Sequence, residues 1–272
     1  MNEIFTPKSI SKVKIGKDEM GQDLLLELFS GSGGKVTLIG GNPGKGKSSL
    51  IKLLLTGLVN SNYSIIWFDA KSGADANPFK ERVEVVDDPE NPELYLGSLL
   101  KLQEIARARN KFRGAELEIH TLRRVVLFVD EWAVLANMGT KQLQNQIQLE
   151  LRKLCATSRS ANMSIVLATQ RPTKDNIDVT TRELSNNRIA FSVGDIHASE
   201  AILGVSGAEQ TLNPMYPGQA VIWTDGDLKK FVSFEVPSNL KSRCLESRGL
   251  KTSIDDLQAE NMIFAREHKI DL

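Results

Sequence analysis

The chain has 272 residues, with 34 Lys and Arg against 34 Asp and Glu, so its formal net charge is zero. That balance excludes a surface uniformly coated for polyanion binding and leaves room only for a local basic loop or ring. With 41% hydrophobic and 25% charged residues, the composition is that of a water-soluble globular chain able to bury a full core. The two cysteines, Cys155 and Cys244, match no metal spacing and read as reduced thiols of a cytoplasmic protein. No apolar run approaches the roughly 18 residues a membrane span needs, and the polar N-terminus is wrong for a signal peptide. Any link to a membrane therefore calls for a partner.

In chain order, residues 1–22 read as a lead-in segment, with Gly16 and Gly21 marking turns. KVTLIG (Lys35–Gly40) is a β-branched apolar run and predicts a buried strand. A glycine-rich turn follows, and Ser48–Asn60 has apolar residues at helical spacing. Tyr63–Asp69 predicts a second buried strand, and Val83–Val86 a short one inside a Gly-, Pro- and Asp-rich stretch. Pro92–Lys111 reads as an amphipathic helix, Arg124–Asp130 as a third buried strand, Gln142–Ser160 as a long helix and Met163–Thr169 as a fourth strand. Arg188–Val193, Gln219–Thr224 and Phe231–Glu235 are further short strands. Strands separated by helices imply an α/β fold with a mostly parallel twisted sheet and helices on both faces. Ligands of such sheets bind beyond the carboxyl ends of the strands.

Residues 41–48, GNPGKGKS, fit G-x-x-x-x-G-K-[S/T]. Glycines let the backbone turn its N–H groups toward a phosphate, and the helix that follows presents its positive end to the anion. Gly41, Asn42, Pro43, Gly44, Lys45, Gly46, Lys47, Ser48 and Ser49 are the candidate nucleotide-contacting residues. Lys47 would reach the β- and γ-phosphates, and the Ser48 hydroxyl would bind Mg²⁺. The alternative, an accidental match in a turn, does not explain why a strand precedes the motif and a helix follows it.

The third strand ends in Asp130 and Glu131. Five apolar residues followed by two acids form a Walker B pattern, with Asp130 holding Mg²⁺ beside Ser48 and Glu131 polarising the attacking water as general base. Read alone, the two acids could equally begin a helix. The second strand ends Asp69-Ala70-Lys71, where an acid is also a common turn starter. The fourth strand runs into Thr169-Gln170-Arg171-Pro172, so Gln170 could sense a γ-phosphate beside Glu131, or the run could be only a proline-stopped turn.

The loop at Gly41–Ser48, Asp69-Ala70-Lys71, VVLFVDEWAVL (125–135) and LATQRP (167–172) together resemble the FtsK/SpoIIIE family of DNA translocases, within the FtsK-HerA superfamily. Ile15-Gly16-Lys17-Asp18, NRIAFSV (187–193) and Gly207-Ala208-Glu209 extend the resemblance over roughly residues 12–235. It implies a RecA-like P-loop NTPase fold, with a motor domain over 23–236 and a C-terminal helical tail over 237–272. It implies ATP and Mg²⁺ as cofactors, a homo-oligomeric ring of hexamer type and double-stranded DNA as the moved partner. Arg159 matches the family's arginine before the LATQRP strand, which implies an arginine finger acting on a neighbour's ATP; Arg171 competes for that role. Thr173–Glu183 is a candidate pore loop, with Lys174 and Arg182 as DNA-phosphate contacts or merely solvated charges.

Two departures stand out. The loop is Asn-Pro-Gly-Lys where the family is Thr-Gly-Ser-rich, and the stretch after Glu235 is too short for the family's winged-helix domain. The resemblance thus implies a motor for transfer or mobilisation of a plasmid, phage or integrative element, addressed by a relaxase, replication or membrane partner. The alternative is a secretion or conjugation coupling ATPase that moves a protein or nucleoprotein. A small-molecule kinase would have no need of Glu131 beside Asp130, and a catalytically dead binding module would have no need of Lys47, Ser48, Asp130 and Glu131 together.

Overall fold

The computed structural model describes residues 11–272 apart from 32, 74, 174–175, 214 and 247–250. In chain order the strands are β1 (Lys12–Asp18), β2 (Asp23–Glu27), the two-residue pair β3 (Phe29–Ser30) and β4 (Gly33–Gly34), and β5 (Val36–Gly40). The helix α1 (Lys47–Leu58) leads to β6 (Ser64–Phe68) and β7 (Glu84–Val86), followed by α2 (Glu93–Gly114) and β8 (Val125–Val129). Next come α3 (Trp132–Leu135), α4 (Lys141–Thr157), β9 (Met163–Thr169), α5 (Val179–Leu184) and β10 (Asn187–Phe191). The chain continues through α6 (Ile196–Leu203), α7 (Ala208–Thr211), β11 (Gln219–Thr224), β12 (Asp227–Ser233), α8 (Leu240–Leu245) and α9 (Ile254–Glu267).

Ten strands form one sheet in the order β2-β1-β12-β11-β10-β5-β9-β8-β6-β7. From β10 to β7 every neighbouring pair is parallel. From β10 outward through β11, β12, β1 and β2 every pair is antiparallel. The central strands are buried on both faces. In β8, Val125, Leu127 and Val129 pack with α2 and α4, whereas Val126 and Phe128 pack with α1. This is why these segments read as continuous apolar runs and not as alternating ones.

The lead-in segment needs correction where it is described. Residues 12–18 are β1, an integral strand of the sheet, and Gly16 lies inside it, paired with Ser233. A Cβ on Gly16 would lie 2.2 Å from the Val232 carbonyl oxygen, so the glycine serves close strand approach and not a turn. Gly21 does sit in a turn, at φ 75°. Within 237–272, α9 lies along α2. Its capping box joins Ser253 and Asp256, Phe264 packs on Phe112 at 4.8 Å between ring centroids, and Arg109 reaches Asn261 Oδ1 at 3.4 Å.

Candidate nucleotide site

The phosphate loop begins where β5 ends. Gly41 (φ 148°) and Gly46 (φ 119°) hold backbone conformations open to glycine, and a Cβ on either would press into Phe191, at 2.7 and 2.9 Å. The loop is tied down on both sides: Asn42 N–H donates to Ser192 O (2.9 Å), and Gly218 N–H donates to Lys45 O (3.1 Å). Gly46 supplies no side-chain cap to α1 and no acid occupies its first turn, so its leading N–H groups face outward for an anion. Lys47 is buried, and its ammonium donates to Gly41 O (2.6 Å) and Asn42 O (2.7 Å). Burial pushes it down to about 8, against the pull of Glu131.

The acids both follow β8, which is separated from β5 in the sheet by β9. Asp130 and Glu131 are 1% and 3% exposed. Ser48 Oγ donates to Asp130 Oδ1 (3.2 Å), and Lys71 Nζ donates to Asp130 Oδ2 (3.3 Å) while lying 3.8 Å from Glu131 Oε2. Burial raises the Asp130 carboxyl and Lys71 draws it back. Glu131 is oriented by β9: Thr169 Oγ1 donates to its Oε1 (3.0 Å), and Gln170 N–H donates to Oε1 and Oε2 (2.9 and 3.2 Å). The Ser48 hydroxyl and the Asp130 carboxylate are two adjacent hard oxygens. They fit Mg²⁺, which takes one or two protein oxygens and completes its shell with phosphate and water. Among the described residues no cluster of three or more metal-ligating side chains competes with this pair.

Two clefts flank these groups. One, about 510 Å³, lies between the phosphate loop and the segment Val232–Val236, with Pro217 and Gly218 at its end. The other, about 500 Å³, is lined by Lys71, Glu131, Val134, Asn137, Gln170 and Arg171 among others. Gln170 borders both.

No family model matches the chain. The DNA translocase FtsK of Borreliella burgdorferi is 28% identical over 220 residues, covering 73% of this chain and 27% of that protein. FtsK of Bradyrhizobium diazoefficiens reaches 37% identity over 101 residues, 37% of this chain and 12% of the relative. Among solved structures, the pCW3 conjugation coupling protein TcpA with ATPγS superposes with a TM-score of 0.74 at 16% identity, covering 90% of this chain and 73% of that one.

The chain is similar to the FtsK-type P-loop ATPases. It spans about a quarter of the length of the Borreliella relative, and the likeness to TcpA establishes the RecA-like fold alone.

In this FtsK-like chain the structure gathers residues 41–49, Asp130, Glu131 and Gln170 at one end of the sheet. Arg159 is not among them. It follows α4 at the amino-terminal side of β9, exposed, with its Cγ 2.9 Å from where a Cβ on Gly33 would be. It cannot serve the phosphate loop of its own chain from there. Arg171 lines the same cleft as Glu131. Arg182, on α5, donates to Glu200 O (3.1 Å), and Lys174 lies outside the described residues. Sequence reasoning assigned Lys71 no role, although the Asp69-Ala70-Lys71 motif signalled it. It also missed the Val232–Val236 wall, which is built from a hairpin far along the chain and carries no chemical motif.

Proposed function

We propose that this chain is the motor of an ATP-driven translocase acting on double-stranded DNA in the cytoplasm. The observation that carries the hydrolytic part is Glu131, a buried carboxylate held in one orientation by Thr169 and the Gln170 backbone. It stands next to Asp130, Ser48 and a phosphate loop whose lysine is parked on loop carbonyls. Such a fixed carboxylate serves as a base for a water approaching the γ-phosphate. Lys47 would exchange the Gly41 and Asn42 carbonyls for phosphate oxygens, a favourable trade for a buried ammonium. Ser48 and Asp130 would hold Mg²⁺, whose charge would offset that gathering on the phosphoryl oxygens.

The DNA-moving part is supported by the similarity to FtsK translocases over most of the chain. A homo-oligomeric ring, hexameric as the resemblance implies, gives Arg159 a use: exposed and remote from its own site, it would act on the ATP of a neighbouring subunit. Arg182 and Lys174 are the proposed DNA-phosphate contacts. No helix among the described residues is long and apolar enough to cross a membrane; a relaxase, replication or membrane partner would supply the address for transfer of a mobile element.

The test is the steady-state ATPase rate with Mg²⁺, with and without long linear double-stranded DNA, across salt. A stimulation several-fold or larger that fades between about 50 and 200 mM salt is the expected result, because phosphate contacts release counterions. Turnover indifferent to DNA would overturn the DNA reading and favour a motor for protein or nucleoprotein substrates.

A further inference from the structure

The loop after β6 is folded by its own aspartate. Asp69 Oδ1 accepts from Lys71 N–H (2.9 Å), and Oδ2 accepts from the N–H groups of Asp75 (3.2 Å) and Ala76 (3.1 Å). Tyr95, from α2, fixes the same turn by donating its hydroxyl to Asp69 O (3.0 Å). Asp69 is fully buried, and its carboxylate is committed to the backbone. The turn carries the Lys71 ammonium across to the end of β8. There it occupies Asp130 Oδ2 while Ser48 occupies Oδ1.

Both oxygens of Asp130 are therefore engaged by donors in a nearly water-free position. A metal ion and an ammonium on one buried carboxylate repel each other, so the Ser48–Asp130 pair holds Mg²⁺ more weakly while Lys71 stays on Oδ2. The two lysines of the site differ in how readily they can move. Lys47 is buried and its ammonium is held by two loop carbonyls. The Lys71 side chain is 30% exposed, on a flexible stem that opens toward the cleft lined by Glu131, Gln170 and Arg171. An ammonium that can regain water leaves cheaply.

We propose that Lys71 is a displaceable internal cation of the metal site: it compensates Asp130 and Glu131 while the site lacks Mg²⁺, and yields Asp130 when Mg²⁺ arrives with ATP. The proposal rests on the reading of Ser48 and Asp130 as the Mg²⁺ pair. Lys71 then keeps the two acids from repelling each other in the empty site. It also sets a threshold that makes productive metal binding depend on the nucleotide phosphates. In this role Lys71 is a positioning residue, acting on substrate through the acids.

The experiment is a MgCl₂ titration of ATPγS binding, read as the Mg²⁺ concentration at half-maximal binding, in the wild type, Lys71→Met and Lys71→Arg. Lys71→Gln replaces Lys71→Met if the latter does not fold. Removal of the cation should lower the Mg²⁺ midpoint about tenfold, less than the bare Coulomb value because the ammonium is partly solvated. Lys71→Arg should return the midpoint toward that of the wild type. An unchanged or higher midpoint in the uncharged variant would overturn the proposal while leaving the ATPase reading intact. A wild type that binds no ATPγS at any Mg²⁺ concentration would overturn the ATPase reading itself, and this inference with it.

Discussion

The two ends of the parallel strands both bury charge, but they bury different kinds. At the amino ends the buried ions are arginines that saturate backbone carbonyls. Arg82 donates to Val59 O, Ser61 O and Tyr63 O, all at 3.0 Å, where α1 gives way to β6. Arg109 donates to Ala161 O (3.1 Å) and Arg123 O (2.9 Å), just ahead of β9 and β8. At the carboxyl ends the buried ions are carboxylates facing lysines. A guanidinium locks several fixed acceptors into one geometry, whereas an ammonium is a point charge that can change partner. Burial lowers Lys47, Arg82 and Arg109 alike. A perturbed buried charge therefore does not by itself mark a site of chemistry; what marks it is whether the partners can be exchanged for a ligand.

The sharpest way to break this contrast is at Glu131. Glu131→Gln keeps the shape and keeps an acceptor for the Gln170 N–H, but removes the base. Turnover should fall about 10²- to 10⁴-fold with ATPγS affinity and melting temperature nearly unchanged, measured by single-turnover hydrolysis and equilibrium binding. Near-normal turnover would remove Glu131 from the chemistry.

The opposite end should respond in the opposite way. Arg109 ties α2 to α9 through Asn261 and closes the two carbonyls named above. Arg109→Met would orphan those carbonyls and leave Glu260, 3.9 Å away, without this partner. A stability loss of about 3 kcal/mol by urea denaturation is the expected outcome, with ATPγS affinity per folded molecule unchanged. A large loss of affinity in the folded fraction would mean that the two ends are coupled.

The sequence made the carboxyl end legible and left the amino end nearly blank. The parallel strands announce themselves because both faces are buried, and the phosphate loop and the Asp130-Glu131 pair fall at their ends in fixed order. The antiparallel half is harder. β1 (KVKIGKD) alternates buried with exposed residues and contains Gly16, which reads as a turn until its strand partner is known. The β11–β12 hairpin turns on Asp225-Gly226 at φ 51° and 91°, a short-range hairpin signal that was present in the sequence and not used. Arg109 reads as one more charge on an amphipathic helix, because α9, which covers it, arrives some 150 residues later. Lys71 is an intermediate case. Its motif was visible, but its meaning depends on contacts with a strand 59 residues away.

The pH dependence of Lys47 is the finest test of the contrast. Its folded value, about 8, lies below that of an ordinary lysine. Between those two values the unfolded chain holds more protons than the folded one, so the Lys47 contribution to stability rises with pH across that window. Nucleotide binding runs the other way. Phosphate oxygens restore the charged form, so above pH 8 binding must take up a proton, and ATPγS affinity should fall by up to tenfold per pH unit; below pH 8 this group should contribute no slope. Arg82 and Arg109, lowered only to about 10, stay mostly charged through the same range and bond carbonyls away from the phosphate loop, so they should add little slope to affinity. The check is ATPγS affinity from about pH 7.5 to 9.5, with proton uptake read from binding heats in two buffers of different ionisation enthalpy. Uptake approaching one proton at the alkaline end would show an ammonium that burial weakens and phosphate rescues. A flat profile would mean that the Gly41 and Asn42 carbonyls already compensate the charge, and that Lys47 is held as firmly as the arginines at the other end of the sheet.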